Sequence, residues 1–154
     1  MENRFEIFTR QIAKISRNIR KIKTEEMGEF QLKSPHVSCL YYLYKKQSLT
    51  AKELCEACDE DKASISRTIE YLENNGYITC HSKTEKRYKS PLFLTEKGNL
   101  IGESIVKKID DVLTKSSYGL SEKEIKKFYK SLILISDNLQ KYCEKYGEEE
   151  WLNY

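Results

Sequence analysis

Between Thr50 and Gly76 the sequence sets two short helical patterns on either side of a connection of only a few residues, which leaves few ways to fold. Thr50-Ala51-Lys52-Glu53 fits a capping box, in which Thr50 and Glu53 each satisfy a backbone donor that the helix start would otherwise leave open. Leu54, Ala57 and Cys58 then supply an apolar face. The step from Cys58 to Lys62 is as short as a helix-turn-helix requires. Asp61 can cap the second helix, because its side-chain oxygen accepts from free N–H groups of the first turn. Ile65, Ile69 and Leu72 follow at spacings of four and three and predict one buried stripe. Gly76 predicts the stop, since glycine enters the left-handed conformation without steric cost. The second helix should span roughly Asp61 to Asn75.

Opposite the stripe lie Ala63, Arg67, Glu70 and Asn74, with Ser64 and Ser66 flanking them near the N-terminal end. Small residues let a backbone approach a groove, hydroxyls reach phosphates or bases, and arginine can grip guanine or phosphate in a bidentate way. The same composition also suits an ordinary amphipathic surface helix. After Gly76, Tyr77-Ile78-Thr79-Cys80 and Leu92-Phe93-Leu94 read as two short strands. Between them Lys83, Lys86, Arg87 and Lys89 stand against Glu85. Such a basic turn is either a solvated hairpin tip or a phosphate or minor-groove contact, and the helix pair beside it favours the contact.

These pieces resemble the MarR family of winged-helix transcription regulators. The resemblance rests on Ser66-Arg67 in the second helix, on Leu72-Glu73 with Gly76 and Ile78, and on Leu94-Thr95 with Gly98. In length and layout it extends over nearly the whole chain. It implies a pseudo-palindromic DNA operator and release by a small ligand or stress signal. Ser64, Ser66 and Arg67 are then expected in the major groove, Lys62 on the backbone, and Lys86 and Arg87 at the DNA target of the wing. The chain departs from the family at the wing. Cys80 stands where the family usually has arginine, and Lys86 and Tyr88 stand where it usually has an Asp-x-Arg pair. Specificity should lean more on the recognition helix in consequence.

Two further helices lie at the ends of the chain. Residues 4–23 carry Phe5, Phe8, Ile12, Ile15, Ile19 and Ile22 at alternating spacings of three and four, the seam of a helix packed on another helix. Ser121-Glu122-Lys123-Glu124 is a second capping box. It opens a last helix carrying Ile125, Phe128, Leu132, Ile135, Leu139, Tyr142 and Tyr146 in the same rhythm. The two seams suggest one homodimer interface built from both ends, with Phe5, Phe8, Ile12, Ile15, Ile19, Phe128, Leu132, Ile135 and Leu139 in it. A twofold dimer would present two recognition helices to half-sites about one DNA turn (~34 Å) apart. Between the ends, Met27 to Ser34 reads as a loop, and Ser34-Pro35 as a cap followed by proline at the first helical position. The helix it opens, ending near Lys46, carries Val37, Leu40, Tyr41, Leu43 and Tyr44. Tyr41 and Tyr44 are core-edge residues on this reading, or the lining of a pocket for a small aromatic or amphipathic ligand. Thr95 should cap a long helix to about Lys115, with Ile101, Ile105, Ile109 and Val112 inward.

The expected fold is therefore mainly α with a small β-hairpin wing. Residues 1–34 and 116–154 form dimerisation helices, residues 35–98 the winged helix-turn-helix, and residues 95–117 a long connecting helix. The net charge of the 154 residues is only +3, too small to identify a nucleic-acid partner. Its distribution is more telling: residues 62–89 hold six Lys/Arg against three Glu, and residues 1–23 hold seven against two. Local fields of this kind steer polyanions. No stretch approaches the roughly 18 apolar residues of a membrane span, and the N-terminus has no apolar signal core, so a cytoplasmic protein with reduced cysteines is expected. Cys55 and Cys58 form a lone C-x-x-C. A zinc site would have to be assembled from Cys55, Cys58, Cys80 and His81, and small buried thiols are the plainer reading. Oxidation of Cys39 is a further option. No phosphate loop, nucleophile elbow or H-E-x-x-H motif is present, so neither enzyme chemistry nor a cofactor or metal is expected. Two rival readings remain: a winged-helix protein–protein interaction module without DNA binding, and a thiol- or metal-responsive sensor.

Overall fold

The helix-turn-helix forms where its caps place it. In the computed structural model, which describes residues 3–81 and 89–151, α3 (Ala51–Cys58) starts behind Thr50 and α4 (Lys62–Asn74) behind Asp61. The Thr50 backbone N–H donates to Glu53 Oε2 at 2.7 Å and the Glu53 N–H donates to Thr50 Oγ1 at 3.2 Å, which closes the capping box. Asp61 Oδ1 accepts from the Ser64 N–H at 2.7 Å. Gly76 has φ 74°, and the Tyr77 N–H behind it donates to the Leu72 carbonyl at 2.9 Å, so the chain leaves α4 at the predicted glycine.

Before this pair come α1 (Arg4–Glu26), a short 3-10 turn (Gly28–Phe30) and α2 (Ser34–Lys46); after it come α5 (Glu96–Ser116) and α6 (Glu122–Trp151). Helix α2 is the hub, packing against α1, α3, α4 and the sheet. Its Val37, Cys39, Leu40 and Leu43 meet Leu54, Ile65, Leu72, Tyr77, Ile78, Leu92 and Ile105 in one core. Thr68 joins Ile65 and Leu72 on the buried side of α4, while Ile69 packs at the edge. The start of α2 differs from the sequence expectation. Ser34 is its first residue rather than its cap, and its N–H donates to Thr24 Oγ1 of α1 at 3.2 Å. The loop before it is not merely a connection, because Met27 and Leu32 are buried in the core.

The wing strands β2 (Ile78–Cys80) and β3 (Leu92–Leu94) pair antiparallel, with Ile78 opposite Leu94 and Cys80 opposite Leu92. A third strand, β1 (Ser48–Leu49), pairs with the other edge of β3, giving the order β1-β3-β2. The expected two-stranded hairpin is thus the larger part of a three-stranded sheet. The chain divides into two compact units, residues 1–110 and 111–154. In the second, Ser121 and Glu124 form the predicted capping box of α6, with the Ser121 N–H donating to Glu124 Oε2 at 2.8 Å. Among the described residues no helix is long and apolar enough to cross a membrane.

Where α4, β2 and α5 meet, the backbones approach closely. Thr95 donates its N–H to the Tyr77 carbonyl at 3.0 Å and its hydroxyl to the Gly76 carbonyl at 2.6 Å, and accepts from the Gly98 N–H at 3.1 Å. A Cβ added at Gly98 would collide with the Tyr77 carbonyl oxygen, so only glycine fits there. Gly28 has nothing within 4 Å of such a Cβ. Gly98→Ala should therefore lower unfolding stability by about 3 kcal/mol, and Gly28→Ala should change it by only about 0.5 kcal/mol, as read by urea titration.

Candidate nucleic-acid interface

The exposed surface of α4 follows from what holds its buried side. Asp59, at φ 52°, turns the chain out of α3, and the Glu60 N–H donates to the Cys55 carbonyl at 3.1 Å. Asp61 then restarts the helix. With Ile65, Thr68 and Leu72 facing the core, the residues left at the surface are Lys62, Ala63, Ser66, Arg67, Glu70 and Asn74. Ser64 is half-buried, its backbone N–H held by Asp61. Of the four α4 residues expected at DNA, Lys62, Ser66 and Arg67 thus lie open on one helix surface, and Ser64 lies at its edge.

Long-range bonds fix the far end of α4. The Tyr71 hydroxyl donates to the Gln31 carbonyl at 2.8 Å, across forty residues of sequence. The Tyr71 ring stacks on His36 of α2, with centroids 4.1 Å apart and planes 8° from parallel. His36 Nδ1 in turn accepts from the Lys33 N–H at 3.0 Å, which caps α2. Lys97 Nζ donates to the Asn75 carbonyl at 2.8 Å and lies 4.3 Å from the centre of the Tyr77 ring. A cation at the C-terminal end of α4 is favourable toward the helix dipole. None of these bonds was visible from periodicity. Only a pairing of His36 with Tyr71 across the fold would have revealed the stack.

The wing connection leaves the ladder after Cys80 and re-enters at Leu92, and Lys89 is exposed along it. Lys86 and Arg87, expected at DNA, lie outside the described residues. Tyr41 is half-buried against the core and edge-on to Tyr42, and the Tyr44 ring packs where a side chain at Gly102 would collide with it. Both tyrosines are half-buried. Among the described residues no three His, Cys, Asp or Glu side chains converge as metal ligands. On α1 no side chain is buried: Phe5 is 81% and Ile15 47% exposed, with Phe8, Ile12 and Ile19 also open. On α6, Phe128, Ile135 and Leu139 are exposed and Leu132 is half-buried.

The fold is shared with known proteins. The model of the MarR family matches residues 30–87, from the 3-10 turn into the wing connection. The uncharacterised HTH-type transcriptional regulator YwoH of Bacillus subtilis is 33% identical over 79 residues; the matched stretch is 51% of this chain and only 58% of that relative. A putative MarR family transcriptional regulator from Listeria monocytogenes, solved with a 26mer DNA, superimposes with a TM-score of 0.77 at 26% identity, covering 85% of this chain and 87% of that one. A MarR family regulator from Neisseria meningitidis gives 0.78 at 20% identity, over 93% and 98% of the two chains, and shows the shared fold.

The link from α2 to α4 through His36 is sensitive to pH. Burial, and then the Lys33 charge, hold the His36 imidazole below the usual histidine range. A protonated Nδ1 cannot accept from Lys33, so the fold favours the neutral ring. The unfolded chain then binds the extra proton, and stability must fall as pH drops. The contribution is complete above about pH 6.5, the ordinary histidine value, and is lost as pH falls through the lower folded value. Thermal melts from pH 8 to pH 5 should show this loss. His36→Asn should flatten that part of the profile while lowering stability at pH 8.

Proposed function

We propose that the chain is a member of the MarR family and acts as a homodimeric regulator of transcription that binds duplex DNA. One observation carries the reading. Asp61 and the buried stripe aim Lys62, Ala63, Ser66 and Arg67 outward together from the first two turns of α4. That is the end of a recognition helix that meets base edges in a major groove. Arg67 reads a base or grips a phosphate, Ser64 and Ser66 bond to the groove, and Lys62 neutralises the backbone. Lys86 and Arg87 extend the contact from the wing. Support also comes from the DNA complex of the Listeria relative.

Dimerisation supplies the second half-site. The α1 seam exposes six large apolar side chains, Phe5, Phe8, Ile12, Ile15, Ile19 and Ile22, and Phe128, Ile135 and Leu139 of α6 are exposed as well. Surface of this kind is stabilised by leaving water, and a second copy brings a matching set. Twofold symmetry then places two α4 helices on a pseudo-palindromic operator. Within this reading Tyr41 and Tyr44 are the side chains through which a small aromatic or amphipathic ligand would act on α2, and so on α4.

Fluorescence anisotropy on the DNA upstream of the protein's own gene tests the α4 assignment. Arg67→Ala is expected to weaken binding by about 1–3 kcal/mol and to relax sequence preference. Unchanged affinity and preference would remove Arg67 from that role. Dimerisation is tested by Ile15→Glu, which places a charge in the seam without disturbing the core. Sedimentation should show the variant as a monomer, with operator binding reduced in step. A variant that stays dimeric would place the interface elsewhere.

A further inference from the structure

The outward face of α4 holds one side chain that no phosphate contact explains. Ala63, Ser66, Arg67 and Glu70 stand at i, i+3, i+4 and i+7, the positions that a helix lying in a major groove turns to successive base edges. Ala63, Ser66 and Arg67 suit a polyanion. Glu70 does not, yet it is exposed in the middle of that face, directly beyond Ser66 and Arg67. Among the described residues no ion pair or hydrogen bond engages its carboxylate, Arg67 included. A carboxylate among DNA phosphates is repelled, and burying it in a groove without a donor costs more still. We propose that Glu70 is a specificity-determining residue, its carboxylate accepting from the N4 amino group of a cytosine in each half-site of the DNA. The proposal rests on the DNA-binding function proposed above.

The chemistry of the groove selects the base. On the major-groove edge, amino donors belong to cytosine N4 and adenine N6 alone. On adenine the N7 acceptor adjoins the amino group and opposes the second carboxylate oxygen. Cytosine offers its donor with no acceptor of its own beside it. Guanine and thymine present oxygen acceptors there, so they repel Glu70. The spacing agrees with this role. Helical rise carries position 70 about 4.5 Å beyond position 67, close to one base-pair step of about 3.4 Å. Glu70 therefore meets the pair next to the one that Arg67 grips.

The carboxylate is stabilised on one base and opposed on the others, so its main effect is against wrong sequences. It lowers affinity for DNA in general and spares the matching site. That is opposite in sign to a lysine on the backbone, whose charge favours every duplex alike. Glu70 takes no part in the core, and Ala, Gln and Glu are all good helix formers, so its variants keep α4 intact.

The test selects binding sites from random duplexes with the full-length protein and with its Glu70→Ala and Glu70→Gln variants, and sequences what each retains. Thermal melts of the three proteins should coincide. The wild-type motif should hold a cytosine in each half-site. In Glu70→Ala that position should become indifferent while the others keep their bases. In Glu70→Gln it should turn to adenine, because a carboxamide bonds adenine N6 and N7 as a bidentate pair. By fluorescence anisotropy, Glu70→Ala should bind the wild-type motif about tenfold more weakly and, at about 50 mM salt, an unrelated duplex several-fold more tightly. One motif shared unchanged by all three proteins would overturn the proposal. So would a loss of affinity in Glu70→Ala that is equal on every duplex, the mark of a merely structural role. A wild-type protein that selects no sequence would contradict the proposed function, and this proposal with it.

Discussion

The approach of α5 to the Tyr77 carbonyl is the constraint on which the winged helix depends. Gly76 turns the chain out of α4, Tyr77 buries its ring, and Thr95 and Gly98 close on the same two carbonyls from the other side of the wing. Helix α4, the sheet and the long helix are thereby joined within a few residues. Removing the space at Gly98 pushes all three apart at once. This is the physical reason that the leucine-threonine and glycine positions recur together in the resemblance. Threonine supplies both a donor and an acceptor, and glycine supplies the missing Cβ.

The local parts of this arrangement were legible in the sequence. Capping boxes at Thr50 and Ser121, the Asp61 cap and the Gly76 stop depend on residues three or four apart, and each forms as read. What depends on distant neighbours was not legible. Strand β1 has two residues, too few for an alternation to show, and exists because the other edge of β3 accepts it. Thr68 is buried because α4 presents the spacing 65-68-72 to the core, a choice that the apolar pattern alone could not make. Ser34 is the first helical residue rather than the cap, and the His36 ring that accepts from the Lys33 N–H is stacked on Tyr71, a partner far away in sequence. Of the site residues, exposure of Lys62, Ser66 and Arg67 followed from the period of the helix. The bonds that hold their helix in place did not.

The two ends of the chain make a different physical demand. A 23-residue helix with no buried side chain gains little from its own unit, and its polar face is already solvated. Its seam therefore gives the chain a reason to associate that is independent of DNA. In the proposed dimer, association and groove binding use separate surfaces, which would let the dimer set the spacing of the α4 helices without constraining their chemistry.

The most direct measurement is photo-crosslinking of the wild-type protein to a bromouracil-substituted fragment from upstream of its own gene, because the bromine occupies the thymine methyl position in the major groove. Trypsin releases residues 63–67 of α4 as one peptide. The account requires that this peptide carry the dominant adduct and that the adduct be lost when salt displaces the protein. Adducts on other elements, with this peptide unmodified, would contradict the placement of α4 in the groove.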